Sequence, residues 1–217
     1  MIVNERIVSY IHSLEHSSSP LLDELEAYAK SNRVPIIRKE AESFLKVMLM
    51  IKQPEKILEL GTAIGYSAIF MSECIGDNSK IVTIENYEKR IPIARENIKK
   101  AGREDKIELI FGDALEEMRK MPDAGFDFVF MDAAKAQYIY FLPEVIRVMR
   151  PGAVLVADNV LQEGDLIESR FAVTRRDRTI HSRMREYIYE VKNSPELVTT
   201  IVPMGDGLTV SVKKEER

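Results

Sequence analysis

Oxygen-bearing side chains follow two strand-like runs of the sequence, at the point where each run ends. Asp132 closes the apolar run at 126–132, and Asp158 with Asn159 closes the run at 153–158. Because parallel strands end at one edge of their sheet, we expect these three side chains to lie together. Hard oxygen donors suit Mg²⁺, which keeps positions open for water or substrate. The sequence therefore predicts a magnesium site, although each residue alone also fits a turn or a helix N-cap.

Two glycines four residues apart follow the first strand-like run, in the segment ELGTAIGYS at 59–67. Gly61 permits a tight turn, and Gly65 allows a ligand to approach the backbone closely. The spacing matches neither G-x-G-x-x-G nor G-x-x-x-x-G-K-[ST], which disfavours a dinucleotide site and a P-loop. A turn with no ligand would explain the glycines equally well if they stood alone.

Acids end the next two runs. Glu85 lies 20 residues beyond Gly65, where a carboxylate can accept hydrogen bonds from ribose hydroxyls. Asp113 ends the third run, at a position from which an adenine amino group could be read. A solvated acid would explain either residue alone. Together with the glycine turn, however, the acids predict a ligand site at the carboxyl edge of a parallel sheet.

The segments ELGTAIGYS, GDA at 112–114 and DAAK at 132–135, together with Glu85, resemble the metal-dependent O-methyltransferases of the catechol type, which use S-adenosylmethionine. The similarity extends from Val34 to Gly207. It implies an α/β, Rossmann-like class I methyltransferase fold. In that fold a seven-stranded, mostly parallel sheet with its last strand antiparallel has helices on both faces, preceded by an N-terminal helical extension.

The resemblance also implies which residues contact the S-adenosylmethionine cofactor. They are Val34, Ile36, Glu59, Gly61, Gly65, Ser67, Glu85, Asp113, Ala114 and Asp132. Val34 and Ile36 are implied to close over the cofactor. Glu85 is implied to hold the ribose, and Asp113 with Ala114 to meet the adenine. Glu59, Gly61, Gly65 and Ser67 are implied to border the methionine half.

Asp132, Asp158 and Asn159 match the metal ligands of that family, and Lys135 matches its catalytic lysine. A hydroxyl is a poor nucleophile until it is deprotonated, and coordination to a divalent metal lowers its pKa and fixes its direction. Beside a metal cation Lys135 is placed to act as general base, with Asp132 as the second catalytic residue. The alternative for Lys135 is a surface lysine at the start of a helix.

Six arginines and one acid occupy residues 170–185, so this arginine segment has a net charge of +5 in a chain of net charge −4. The arginines are Arg170, Arg175, Arg176, Arg178, Arg183 and Arg185. Because the segment follows the predicted metal ligands, we expect it to rim the site and to seat a nucleic-acid backbone. Single-stranded RNA loops can present a splayed-out base to a pocket. A solvated, salt-bridged helix face is the alternative, but the segment holds few acids to pair the arginines.

Five segments, two of which extend those above, most closely resemble the bacterial tRNA 5-hydroxyuridine methyltransferases. They are VPII at 34–37, ELGTAIGYSAI at 59–69, DAAKAQY at 132–138, DNVL at 158–161 and PMGDGL at 203–208. That family makes 5-methoxyuridine at the wobble position, so the resemblance implies a tRNA anticodon loop as partner, and a homodimer. The chain has no Trp and so lacks a tryptophan wall for a catechol. A small catechol-like phenol is the alternative substrate, and a nucleotide-binding module without turnover is the third possibility.

Strands and helices alternate after residue 56, which predicts a parallel sheet with right-handed crossovers. Strands buried on both faces are expected at 56–60, 80–85, 106–112, 126–132 and 153–158, with a final hairpin at 197–203 and 207–213. Helices are expected at 2–14, from residue 20, and at 39–51, 66–75, 87–101, 113–120, 137–149 and 175–193. We expect a single domain over 1–217, with a helical extension at 1–52 and a Rossmann-like core at 53–217.

Composition limits the setting in which the protein works. The net charge of −4 disfavours a general nucleic-acid coat, so any site for a polyanion must be local. The lone Cys74 cannot form an internal disulfide, which fits a reducing, cytoplasmic location. The longest apolar runs are far short of the ~20 residues that span a bilayer, so no membrane association is expected.

Overall fold

The computed structural model describes residues 2–15 and 19–215. This part of the chain contains seven strands and eight α-helices. The strands are β1 (Lys56–Leu60), β2 (Lys80–Glu85), β3 (Ile107–Phe111), β4 (Phe126–Met131), β5 (Met149–Ala157), β6 (Leu197–Val202) and β7 (Leu208–Lys213). The helices are α1 (Glu5–Leu14), α2 (Pro20–Asn32), α3 (Lys39–Lys52), α4 (Tyr66–Cys74), α5 (Ile91–Lys100), α6 (Ala114–Arg119), α7 (Tyr138–Val148) and α8 (Arg178–Asn193).

The strands form one sheet in the order β3-β2-β1-β4-β5-β7-β6. β1 to β5 run parallel, and β7 is antiparallel to both of its neighbours, β5 and β6. The predicted sheet with an antiparallel last strand is therefore confirmed. Because β7 inserts between β5 and β6, the turn that precedes it returns to the carboxyl end of β5, where Ala157 pairs with Thr209.

Successive residues of the central strands face opposite layers of helices. On β1, Ile57 packs into a core with α2, α3 and α4, whereas Leu58 packs into a second core with α7 and α8. Strands covered on both faces must be apolar throughout, which explains their unbroken Ile, Val, Leu and Phe content. The prediction of burial on both faces is wrong for β3. As one of the two edge strands of the sheet, β3 leaves Glu108 and Phe111 exposed.

The N-terminal helices differ in how much of their surface they bury. α2 and α3 share the first core with the sheet, through residues such as Leu22, Leu45 and Leu49. α1 buries none of its residues. The last helix begins at Arg178, so the predicted start at 175 was early. Within residues 2–15 and 19–215, no helix is both long enough and apolar enough to cross a membrane.

Candidate active site

A cleft of about 490 Å³ opens at the carboxyl ends of the parallel strands. Nine of the residues singled out in the sequence line it: Ile36, Gly61, Ser67, Glu85, Asp113, Ala114, Asp132, Lys135 and Asn159. They come from the segment before α3 and from the ends of β1 to β5. The topology thus brings residues that are far apart in the chain to one edge of the sheet, as parallel strands with crossover helices require.

Four of the predicted cofactor and metal residues do not line the cleft, and neither do the six predicted arginines. Val34 lines a second cavity between the N-terminal helices and the segment that joins α2 to α3. Gly65 faces α5, where an added Cβ would lie 3.6 Å from the carbonyl oxygen of Ala94. Glu59 and Asp158 are buried beneath the surface of the cleft, with exposed fractions of 0% and 2%.

Gly61 brings the first turn against the end of β4. Its φ of +100° lies in the left-handed region, and a Cβ built there would be 2.2 Å from the carbonyl oxygen of Asp132. Its N–H donates to the carbonyl of Ile84 at 3.0 Å, and the Asp132 N–H donates to the carbonyl of Leu60 at 2.9 Å. Only glycine fits this conformation and this approach, so Gly61 determines where the Asp132 backbone can lie.

Glu85 is held in a fixed orientation at the cleft wall. Its Oε2 accepts from the Ala63 N–H and its Oε1 from the Tyr87 N–H, both at 2.8 Å. Each carboxylate oxygen has a further lone pair, so the group can still accept hydrogen bonds from a ligand's hydroxyls. Asp113 is the N-cap of α6, with Oδ1 accepting from the N–H of Leu115 at 2.9 Å and of Glu116 at 3.2 Å.

Glu59 lies behind this wall with no exposed surface. The Thr83 hydroxyl donates to Glu59 Oε2 at 2.5 Å, and the Thr62 hydroxyl lies 2.6 Å from that of Thr83. Burial raises the pKa of Glu59 from 4.5 to about 7, although the hydroxyls of Ser67 and Thr83 oppose the rise. Its Oε1 has no hydrogen-bond partner in the described part of the chain. Glu59 is thus fully buried and does not line the cleft.

Asp132, Asp158 and Asn159 meet at the ends of β4 and β5. Asp158 Oδ1 accepts from the Asn159 N–H at 2.6 Å and from Asn159 Nδ2 at 3.1 Å, which leaves the Asn159 amide oxygen as a donor atom for a cation. Burial, and then the charge of Asp132, raise the pKa of Asp158 to about 7. A cation between the two carboxylates would offset both effects.

The donor set of this triad suits a hard divalent ion. Two carboxylates and one amide are oxygen ligands that Mg²⁺ accepts, and three such ligands leave half of an octahedron for water or substrate. Among residues 2–15 and 19–215, no cluster of three His, Cys, Asp or Glu side chains has the arrangement of a metal site. The described residues therefore offer an oxygen site and no zinc-type site.

Two residues near the triad were not predicted. The Tyr138 hydroxyl lies 2.9 Å from the carbonyl oxygen of Met131 and 3.1 Å from that of Asp158, and it accepts from Lys135 Nζ at 3.3 Å. Asp206, in the turn before β7, is half-buried, and its charge contributes to the raised pKa of Asp158. Tyr138 could have been found from its place in DAAKAQY, three residues beyond Lys135. Asp206 lies in the PMGDGL segment, but that segment indicates only a turn, and it is the insertion of β7 that brings Asp206 here.

The arginine segment, residues 170–185, comprises the loop before α8 and the first half of that helix. No ion pair joins its six arginines to an acid in the part of the chain that the structure describes. Arg170, Arg175 and Arg176 are exposed. Arg183 donates to the carbonyl of Ala136 at 3.4 Å and Arg185 to that of Leu166 at 3.0 Å, so these two hold neighbouring loops in place.

The comparisons with known proteins agree with this arrangement. The chain is 34% identical over 128 residues to a catechol O-methyltransferase of Niastella koreensis, with 58% of each chain covered. It is 31% identical over 161 residues to a catechol O-methyltransferase of Mycobacterium tuberculosis, with 73% of each covered. An O-methyltransferase of Bacillus cereus, solved in complex with SAH, superposes with a TM-score of 0.84 at 26% identity, over 96% of this chain and 97% of that one.

The structural similarity confirms the predicted Rossmann-like class I methyltransferase fold. The family model described as O-methyltransferase matches residues 12–214, which includes the cleft, the triad and the arginine segment. The chain therefore belongs to the O-methyltransferase family.

Proposed function

We propose that the protein transfers a methyl group from S-adenosylmethionine to the 5-hydroxyl of 5-hydroxyuridine at the wobble position of tRNA, in a reaction that requires Mg²⁺. The product is 5-methoxyuridine. The observation that carries the choice of substrate is a set of exposed arginines in a segment that follows the triad in the chain, none of them paired with an acid in the part of the chain that the structure describes. A tRNA substrate places the activity in the cytoplasm.

The cleft supports S-adenosylmethionine as the methyl donor. Its 490 Å³ lies in the usual range for cofactor sites, and the fixed carboxylate of Glu85 and the side chain of Ile36 are both among its lining residues. Glu85 is placed to accept the ribose hydroxyls, and Asp113 and Ala114 lie at the end of the cleft expected to meet the adenine. The solved Bacillus cereus relative holds SAH, the demethylated form of this cofactor.

The triad supports Mg²⁺ as the second cofactor. When bound, the ion would lower the pKa of the acceptor hydroxyl and fix the direction of its oxygen. Asp132, Asp158 and Asn159 would supply its protein ligands, and a 5-hydroxyl with the neighbouring 4-carbonyl would offer two more oxygens. Lys135 Nζ, 2.7 Å from Asp132, would take the proton that the hydroxyl loses, acting as the neutral amine.

Exposed arginines support RNA as the substrate. Arg170, Arg175 and Arg176 form no ion pair with a carboxylate among residues 2–15 and 19–215, and guanidinium groups bind phosphate in a bidentate fashion. Binding to RNA would therefore release counterions and weaken as salt rises. A small phenol has no backbone charge and would gain nothing from these residues.

A methylation assay with purified protein tests the proposal. We expect 5-methoxyuridine, identified by nucleoside mass spectrometry, when hydroxylated tRNA and S-adenosylmethionine are supplied, and none when a chelator is added. The double variant Arg175→Ala/Arg176→Ala should bind tRNA more weakly, with a salt dependence shallower by about two counterions. Arg95→Ala/Arg119→Ala removes the same charge from exposed positions on α5 and α6 and should leave binding unchanged.

A small catechol-type phenol is the second candidate substrate, because the two sequence relatives described above are catechol O-methyltransferases. This alternative predicts efficient methylation of catechol, no turnover on hydroxylated tRNA, and no effect of the Arg175/Arg176 change. A result of that kind would reject the tRNA assignment while leaving the methyl-transfer chemistry in place.

We also propose that two copies of the chain associate through the N-terminal helices. α1 exposes Ile7, Tyr10, Ile11 and Leu14, and α3 exposes Met50 and Ile51. Apolar side chains spaced three and four residues apart on one helix, as on α1, are typical of a surface that another protein covers. Light scattering during gel filtration should give twice the chain mass, and Tyr10→Glu/Ile11→Glu should give the mass of one chain.

A further inference from the structure

Phe171 is a large apolar side chain that the fold leaves in solvent. It lies in the arginine segment, directly after Arg170, and 80% of its surface is exposed. It is not among the residues that line the cleft. A phenylalanine at this position contributes little to the core, so its ring is available to a ligand that lies outside the cleft.

Hydrogen bonds and one buried side chain hold the loop that carries Phe171 on both sides of this residue. Before it, His181 Nε2 lies 3.1 Å from the carbonyl oxygen of Glu168. After it, Val173 is buried and the Thr174 hydroxyl donates to Asp177 at 2.6 Å. A ring on a fastened loop loses less conformational entropy on binding than a ring on a free one.

A guanidinium group accompanies the ring. Arg178 Cζ lies 5.7 Å from the centroid of Phe171, within the range of a cation–π contact. Its Nε is buried and has no hydrogen-bond partner in the part of the chain that the structure describes. The pair therefore combines an exposed π-surface with positive charge, the combination that single-stranded nucleic acids bind through base stacking and phosphate contact.

We propose that Phe171 is a stacking platform for the nucleobase next to the nucleotide that is methylated. The inference rests on the proposed tRNA substrate. The target base must enter the cleft, and splaying it out of the loop leaves its neighbour without a stacking partner. Phe171 replaces that partner, and the net charge of +5 on the arginine segment favours an RNA over a protein or a neutral ligand.

Fluorescence anisotropy with a labelled anticodon stem-loop RNA tests the platform. Phe171→Ala and Phe171→Leu should each weaken the Kd about tenfold, because stacking of a base on an aromatic ring is lost in both. Phe171→Trp should bind within about twofold of wild type, since it keeps a π-face. The slope of log Kd against log salt should stay the same in all three, because no phosphate contact is removed.

Two controls separate the platform from the fold and from the proposed function. Tyr189→Ala removes a 64% exposed aromatic ring from α8, outside the arginine segment, and should leave the Kd unchanged. Methyl transfer to the free nucleoside 5-hydroxyuridine should be equal in every variant. If the wild type binds the RNA and Phe171→Ala or Phe171→Leu binds equally well, the platform is wrong and the tRNA assignment stands. If the wild type neither binds nor methylates the RNA, both are wrong.

Discussion

Lys135 Nζ lies 2.7 Å from Asp132 Oδ1, and the same nitrogen donates to the Tyr138 hydroxyl at 3.3 Å. Tyr138 is itself fully buried, and its hydroxyl also lies within hydrogen-bond distance of the carbonyl oxygens of Met131 and Asp158. The lysine is thereby held beside the triad, where an acceptor hydroxyl would lose its proton. Its position fits a general base better than a surface lysine at a helix start.

Removing the amine should therefore slow the reaction without weakening the binding of the cofactor. We expect Lys135→Ala to lower kcat by about 10²–10⁴-fold, the usual contribution of a general base. The Kd for S-adenosylmethionine, measured by calorimetry, should change little. Lys135→Arg can keep the ion pair with Asp132 but does not release its proton, so it should remain impaired. An arginine variant with the kcat of wild type would show that only the charge matters.

Asp158 provides a test of the metal site that does not depend on turnover. In the wild type, Mg²⁺ should raise the Tm, since an ion bound only by the folded state stabilises it. Asp158→Asn removes one of the two carboxylates and should lose both this response and the methyl-transfer activity, while binding of S-adenosylmethionine persists. Asp105→Asn is the control, because Asp105 is exposed and precedes β3 at the opposite edge of the sheet. An equal Mg²⁺ response in Asp158→Asn would reject the site.

Gly61 tests whether the first turn positions Asp132. Gly61→Ala would place a methyl group 2.2 Å from the Asp132 carbonyl oxygen, so the turn and the end of β4 must separate. Gly152→Ala is a matched control, because Gly152 also has a positive φ, +74°, but an added Cβ would meet no atom within 4 Å. By urea unfolding, the control should lose about 1 kcal/mol from backbone strain alone, and Gly61→Ala about 2 kcal/mol more. Equal losses in the free energy of unfolding would mean that the added methyl group at Gly61 meets no resistance from the Asp132 backbone.

The sequence predicted the strand-end residues of the site well because their positions follow from local rules. A buried strand that ends in an acid, or in a glycine turn before a helix, delivers that residue to one edge of a parallel sheet, and Asp132, Glu85 and Gly61 all lie there. The same rules do not tell which way a residue faces. Gly65 has the positive φ expected of a turn glycine, yet it packs against α5 and not against the cleft.

Residues that depend on long-range pairing escaped prediction. Asp206 reaches the triad because β7 inserts between β5 and β6, and nothing in the local sequence specifies that order of strands. The exposure of β3 has the same origin, since a strand's place at the sheet edge is decided by its neighbours. In the arginine segment, composition showed the excess charge, but only the structure separates the exposed Arg175 and Arg176 from Arg183, which bonds a backbone carbonyl.

Glu59 should make the stability of the protein fall as pH rises. Below its ordinary pKa of 4.5 the carboxyl is protonated in both the folded and the unfolded chain, so it has no effect. Between pH 4.5 and about pH 7, which is the pKa of Glu59 in the folded state, the folded chain keeps a proton that the unfolded chain has lost. The free energy of unfolding therefore decreases as the pH rises through this range. Above about 7 the full cost of burying the carboxylate is present, about 3 kcal/mol for a pKa difference of this size.

Glu59→Gln keeps the shape of the side chain and removes the titration. Denaturant unfolding of the ligand-free protein between about pH 5 and about pH 8 should therefore show a smaller decrease for the variant, which becomes more stable than wild type at the alkaline end. Glu108→Gln also removes one acid, but from an exposed site on β3, so its curve should run parallel to that of wild type. If the Glu59→Gln and wild-type curves are parallel, then Glu59 is already ionised in the folded protein across this range, and the hydroxyls of Thr83 and Ser67 outweigh its burial.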